Sequence, residues 1–184
     1  MEIVYPVHWP HYFTATIQGW KQLLSTERFK NIIIDSLKTM VQEKRVELNA
    51  FAIMNTHIHL IWQTLPGHSP QSIQASFMKF TAHQIKQKLS IENPELLEEF
   101  RVNKYDRTYQ FWKRDSLSIE LFTEKVFAQK LSYIHYNPVA AGYCTYPEEY
   151  KYCSAKFYEL GIDEFMPLLV DNSPRWFQLA VSMR

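Results

Sequence analysis

Ala52-Ile53-Met54-Asn55-Thr56-His57-Ile58-His59-Leu60-Ile61-Trp62 is the stretch on which the fold turns. From His57 onward the residues alternate. His57, His59, Ile61 and Gln63 point to one face of a strand, and Ile58, Leu60, Trp62 and Thr64 to the other. Residues 46–54 read as the preceding strand, and the tight Asn55-Thr56 turn joins the two as a hairpin. Two histidines spaced by two stand on one side of a strand, roughly 6.5–7 Å apart at Cα from the rise per residue. Their imidazoles can converge on one divalent cation, each through a neutral ring nitrogen.

Working outward, residues 1–9 form a lead-in, and the aromatic and β-branched run 11–17 predicts a strand. Ser25 or Thr26 can cap a helix whose apolar positions Phe29, Ile32, Ile33, Leu37, Met40 and Val41 recur at helical spacing as far as about Lys44. On the other side, Pro66-Gly67 breaks the chain. Ser69 or Ser72 opens a second helix with Ile73, Phe77, Phe80 and Ile85 as its buried side. Residues 92–108 read as an irregular connector, and 109–112 and 116–121 as short strands. A third helix runs from about Thr123 to Tyr136 and stops before Pro138, because the residue preceding proline is pushed out of helix. The aromatic segment 146–157 is expected to pack over the core.

The order strand–helix–strand–strand–helix–strand is the ferredoxin-like α+β plan, an antiparallel sheet with helices on one face. With Ile58, Leu60 and Trp62 against those helices, His57 and His59 stand on the open face. One domain is expected over residues 1–184, with a core of about 8–160 and a C-terminal extension from 161.

Composition narrows the class. At 46% hydrophobic and 21% charged, the chain is globular rather than disordered. A net charge of +1 excludes a globally basic nucleic-acid binder, so any basic surface must be local. The two cysteines, Cys144 and Cys153, match no zinc, redox or disulfide spacing, which fits a reducing cytoplasm. No signal peptide or membrane span is visible. His8 and His11 are residues at the start of the first strand, with nothing nearby to complete a ligand set.

A second informative stretch is Lys130-Leu131-Ser132-Tyr133-Ile134-His135-Tyr136-Asn137-Pro138-Val139-Ala140-Ala141-Gly142. Phe127, Leu131 and Ile134 form an apolar stripe, and Tyr133 and Asn137 stack one turn apart beside it. A phenol and a carboxamide can therefore reach the same small volume, and an oxygen donor suits a hard cation bridged to phosphate. Between the two stretches, Arg101, Lys104, Tyr105, Arg107, Tyr109, Phe111, Trp112, Lys113 and Arg114 interleave positive charge with aromatic rings, as a strand of unpaired nucleotides would require. Each feature alone has a plainer reading: exposed or core histidines, a packing Tyr133, Asn137 as a helix cap before Pro138, and a solvated loop with buried rings.

Together, the His-hydrophobic-His strand and the later Tyr-Ile-x-x-Asn-Pro-Val-x-Ala-Gly helix resemble the IS200-like tyrosine transposases. The match is nearer to the branch associated with repetitive extragenic palindromes. The segment Tyr146-Pro147-Glu148-Glu149-Tyr150-Lys151-Tyr152-Cys153-Ser154-Ala155 also resembles that branch, and the resemblance spans roughly residues 8–160. It departs at Met54-Asn55-Thr56, where the branch usually reads Met-Pro-Asn.

The resemblance implies a single-strand DNA nuclease and strand transferase acting at hairpin-associated sites in the cytoplasm, at the nucleoid. It places the nucleophile on Tyr133 and a divalent metal, Mg²⁺ or Mn²⁺, on His57, His59 and Asn137, with no small-molecule cofactor. Tyrosine is a weak nucleophile because phenols titrate near 10, so such chemistry needs help from a cation at the phosphate. Arg107, Trp112, Lys113 and Arg114 are the expected DNA contacts, and a monomer is expected over a dimer. Two rival classes remain: a ferredoxin-like module that binds structured DNA or RNA without cutting it, and a replication-initiator nuclease, against which the Pro138-Val139-Ala140-Ala141-Gly142 segment speaks.

Overall fold

The structure, a computed structural model, describes residues 7–170. Most of the lead-in (residues 1–6) and the greater part of the C-terminal extension (171–184) lie outside the described residues. Strand β1 (Pro10–Thr16) leads into helix α1 (Glu27–Gln42), then the hairpin β2 (Val46–Ile53) and β3 (His57–Thr64), then helix α2 (Pro70–Glu92). Strand β6 (Leu117–Glu120) completes an antiparallel sheet of order β2-β3-β1-β6. This is the ferredoxin-like arrangement that the element order predicts.

Local chemistry accounts for the helices on the first face. Thr26 stands at the N-cap of α1, and Glu27 in the first turn complements the helix dipole. Ser69 caps α2 by accepting from Ser72 N, with Pro70 at the first helical position. Phe29, Ile33, Ile34, Leu37 and Met40 from α1, and Ile73, Phe77, Ile85 and Leu89 from α2, bury against Ile58, Leu60 and Trp62 of β3. Trp62 lies between Phe13, stacked at 5.1 Å, and Phe77, edge-on at 5.4 Å.

Three expectations are corrected here. Phe80 is exposed, because the buried line of α2 advances in steps of four through Ile73, Phe77, Thr81, Ile85 and Leu89. Thr81 is tolerated in that line because its hydroxyl donates to Phe77 O (2.8 Å) and accepts from Trp112 Nε1 (3.0 Å). The connector is not irregular. Asn93-Pro94 restarts a helix, α3 (Pro94–Glu98), and a two-stranded ribbon follows, β4 (Arg101–Lys104) with β5 (Arg107–Tyr109). Residues 109–112 therefore form no strand of the main sheet, although Trp112 makes an isolated bridge to Ile17.

The third correction concerns the last long helix. α4 (Glu124–Ala140) does not stop before Pro138. Proline removes its own N–H donor and crowds the carbonyl four residues back, a local cost near the helix end; the helix closes beyond it through Ala141 N–H to Asn137 O (3.0 Å) and Tyr143 N–H to Pro138 O (2.9 Å). Ala141 is the C-cap, and Gly142 takes the left-handed conformation that follows it. Asn137 is thus inside the helix, with its side chain not required as a cap.

α4 covers the sheet face expected to be open. Its Phe127 and Ile134 bury against Tyr12, Ala50, Ala52 and Ile61, with Leu131 packed alongside. The aromatic segment packs on the core through Tyr152 and Cys153 as expected, and it also runs along β2: Ile53 N–H donates to Tyr152 O and Ser154 N–H to Phe51 O, both at 2.9 Å. A short helix, α5 (Ala155–Leu160), follows. No helix of the described residues is long and apolar enough to cross a membrane.

Candidate active site

The turn that presents the histidines is held from three sides. Ile17 N–H donates to Thr56 O (2.8 Å) and Leu24 N–H to Asn55 O (3.0 Å). The ammonium of buried Lys30, its pKa pushed down by burial, reaches Asn55 Oδ1 at 3.1 Å from α1. Asn55 is therefore anchored from α1 by Lys30.

Strand register then sets each histidine's neighbours. Thr14 of β1 stands opposite His59, and Thr16 opposite His57. His59 is only 3% exposed, which corrects the expectation that both rings face outward. Its Nδ1 lies 2.6 Å from Thr14 Oγ1 and 2.9 Å from Tyr12 Oη, and Thr14 Oγ1 donates on to Tyr12 Oη at 3.1 Å. The opposite nitrogen, Nε2, is buried with no hydrogen-bond partner among the described residues. His57 repeats the pattern, with Nδ1 2.9 Å from Thr56 Oγ1. The two ring centroids are 4.8 Å apart.

Burial lowers the pKa of both rings. It pushes His59 down to about 3, and the neighbouring His57 and Lys130 act in the same direction. Burial also lowers His57, opposed by a hydrogen bond with the Asn137 side chain. A neutral imidazole has a lone pair to give, which is what metal ligation needs.

α4 brings in the remaining groups. Tyr133 is 51% exposed, and its ring stands edge-on to His59 at 5.4 Å and to Tyr12 at 6.4 Å. One turn further, Asn137 contacts His57. Lys130, one turn before, sets its ammonium 4.7 Å from the Tyr12 ring and 6.0 Å from that of Tyr133. His135, to which the sequence reading assigns no role, fixes the helix to the sheet: its Nε2 is 2.9 Å from Ser154 Oγ, which also accepts from Phe51 N–H at 3.0 Å. Burial lowers His135 to about 4.

Tyr133, His57, His59 and Asn137 thus come together from two distant segments. The basic-aromatic run does not stay together. Trp112, expected to contact DNA, is 6% exposed and bonded to Thr81, so its ring belongs to the core. Arg107 and Arg114 both pair with Asp106 at the β4–β5 turn. Lys113 faces Trp20, whose ring in turn meets His57. Tyr12, Thr14, Lys130 and Trp20 are neighbours of the site that the sequence reading passed over. The Tyr12-x-Thr14 alternation is the one available signal, and it means nothing until the register of β1 on β3 is known.

The residues fit a divalent cation. Both imidazoles have Nδ1 engaged, and His59 presents a buried, unpartnered Nε2, an arrangement that orients a ligand. Among the described residues no group of three or more His, Cys, Asp or Glu could hold a metal, so a third protein ligand must be of another kind. The Asn137 amide is the group at hand.

Comparison with known proteins bears on this geometry. The family model described as "Transposase IS200 like" matches residues 11–124, from β1 to the first residue of α4. The chain belongs to the IS200-like transposase family. Membership makes it a DNA-processing enzyme of the transposase class. The matched region includes His57 and His59 and ends before Tyr133 and Asn137. A REP-associated tyrosine transposase, solved bound to a REP hairpin, has a similar fold. Its TM-score is 0.61 at 17% identity, over 90% of this chain and 88% of that one. A candidate transposase from Deinococcus radiodurans R1 is similar at TM-score 0.50 and 16% identity, over 73% and 94%. At these identities the likeness is one of fold. No curated protein matches the chain in sequence.

Proposed function

We propose that this protein cuts and rejoins single-stranded DNA beside a hairpin, with Tyr133 as nucleophile and His57, His59 and Asn137 holding Mg²⁺ or Mn²⁺. The observation that carries this reading is His59: Nδ1 is tied to Thr14, Nε2 is buried and unpartnered, and the ring faces Tyr133. The likeness to a transposase solved with a REP hairpin supports the choice of a hairpin-bearing strand.

The cation, when bound, supplies positive charge at the scissile phosphate. The rest is positioning by the chain itself. Tyr133 and Asn137 sit one turn apart on a helix pinned through His135, so nucleophile and ligand hold one geometry. The Tyr133 oxygen bonds to phosphorus as the bond from phosphorus to the 3′ oxygen breaks. The phenolic proton passes to solvent, the departing 3′ oxygen takes one proton from solvent and leaves as a hydroxyl, and the DNA 5′ side stays as a phosphotyrosine. Attack by a 3′ hydroxyl reverses the step, because the phosphodiester energy is kept in the protein linkage. Lys130 adds a positive charge beside the nucleophile and Lys113 one beside Trp20, and Arg107 and Arg114, once released from Asp106, would neutralise phosphates further along the strand.

Incubation with hairpin-bearing single strands and Mn²⁺, followed by a denaturing gel, tests the reading. Wild type should give a covalent protein–DNA adduct. Tyr133→Phe removes one oxygen from a half-exposed ring and should abolish the adduct while still binding DNA. Tyr136→Phe, on an exposed residue of the same helix, should keep it. An adduct that survives Tyr133→Phe and disappears with Tyr136→Phe moves the nucleophile. Binding without any adduct, with either metal, makes the chain a binding module.

A further inference from the structure

Beside His57 stands a tryptophan that the proposed cleavage does not use. Trp20 is 59% exposed, although tryptophan is among the side chains that gain most from burial. Its backbone is in the left-handed region, φ 56°, directly after Gly19 at φ 67°. Glycine takes that conformation freely; a bulky side chain does so rarely, and such residues concentrate at functional sites. The segment around it is held firmly. Gln18 N–H donates to Phe111 O (2.7 Å), Trp20 N–H to Ile17 O (3.0 Å) and Lys113 N–H to Thr16 O (2.8 Å). The indole meets the His57 ring edge-on at 5.9 Å, and the Lys113 ammonium lies 5.7 Å from its centroid. Trp20 and Tyr133 therefore flank the histidine pair, one beside each ring.

We infer that Trp20 is a stacking platform for an unpaired base of the DNA strand next to the scissile phosphate, with Lys113 neutralising that nucleotide's phosphate. This rests on the reading that the site handles single-stranded DNA. An exposed, rigidly held indole beside a cation is the combination that binds single strands without reading sequence. A duplex offers no free base face, so the platform selects unpaired nucleotides at the site of chemistry.

Binding is measured by fluorescence anisotropy on a labelled hairpin with a mixed-sequence single-stranded tail, in the Tyr133→Phe background so that no adduct forms. Trp20→Ala and Trp20→Leu should weaken binding roughly 5- to 100-fold, the range expected for one lost stack. Trp20→Phe should retain most of it. A blunt hairpin with no tail should bind all variants equally. An abasic nucleotide, placed at each tail position in turn, should at one position weaken wild type and leave Trp20→Ala unchanged. Wild-type affinity in Trp20→Ala and Trp20→Leu overturns the inference, and so does an equal loss in Trp20→Phe or on the blunt hairpin. Normal binding losses here with no adduct from the Tyr133 parent would leave the platform standing and reject the cleavage reading. No binding of any tail by the Tyr133→Phe parent would reject both.

Discussion

Thr14 shows how a single hydroxyl can govern a metal ligand. Its proton goes to Tyr12 Oη at 3.1 Å, which leaves its oxygen to accept from His59 Nδ1–H at 2.6 Å, and that tautomer is the one with Nε2 free. Thr14→Val keeps the shape and removes that partner. Loss of such an outer partner should weaken Mn²⁺ binding by roughly 10- to 100-fold, measured by titration calorimetry. Wild-type affinity in this variant would remove His59 from the ligand set or Thr14 from its support. His59→Ala is a poorer probe. In a buried position it leaves the Thr14 and Tyr12 hydroxyls short of a partner, at a cost of about 1–3 kcal/mol, so lost activity could be lost fold.

Among the elements, the segment from Phe111 to Lys113 illustrates how neighbouring residues separate. Trp112 turns inward and bonds Thr81 of α2; Lys113 turns outward to Trp20. Trp112→Phe should cost about 1–3 kcal/mol, from the lost hydrogen bond and the volume left unfilled, read as a lowered urea midpoint at unchanged slope. Binding to a single-stranded tail should be unaffected at temperatures where the variant is folded. A stable variant with weakened DNA binding would return Trp112 to the DNA surface. α4 has a comparable division: its buried side holds Phe127 and Ile134, and its exposed side carries Tyr133 and Tyr136.

At the scale of the whole molecule, burial of histidines couples stability to pH. His135 is held near 4 and His59 near 3, both below the ordinary 6.5 and both chiefly through burial. Above about 6.5 the folded and unfolded chains both carry neutral rings. Below it the unfolded chain takes up protons that the folded chain does not, so stability falls as pH drops from 6.5 toward 4 for His135, and on toward 3 for His59. His135→Gln keeps a hydrogen-bonding end for Ser154 and cannot titrate. Its urea midpoint should fall less between pH 6.5 and 4 than that of wild type. An identical slope would mean that His135 is charged in the folded state or that the helix contact is lost on its own.

The sequence by itself determined the order of the four main-sheet strands and the long helices, the hairpin, and the phase that puts His57 and His59 on one side of β3. These follow from periods of two and about 3.6 residues, which any single segment displays. It also pointed to Tyr133 and Asn137 as partners, because four residues is one helical turn. Only the tertiary structure decided which surfaces are covered. The apolar stripe of α4 could have packed on any apolar surface; it packs on the face of β1 and β3 that carries the histidines, and so buries His59 and brings Tyr133 to it. The same holds for the two tryptophans. Composition cannot tell Trp20 from Trp112, and burial was decided by which backbone the bridge from Ile17 to Trp112 turned toward α2. Periodicity is local and can be read from one segment, whereas burial depends on which distant surfaces meet.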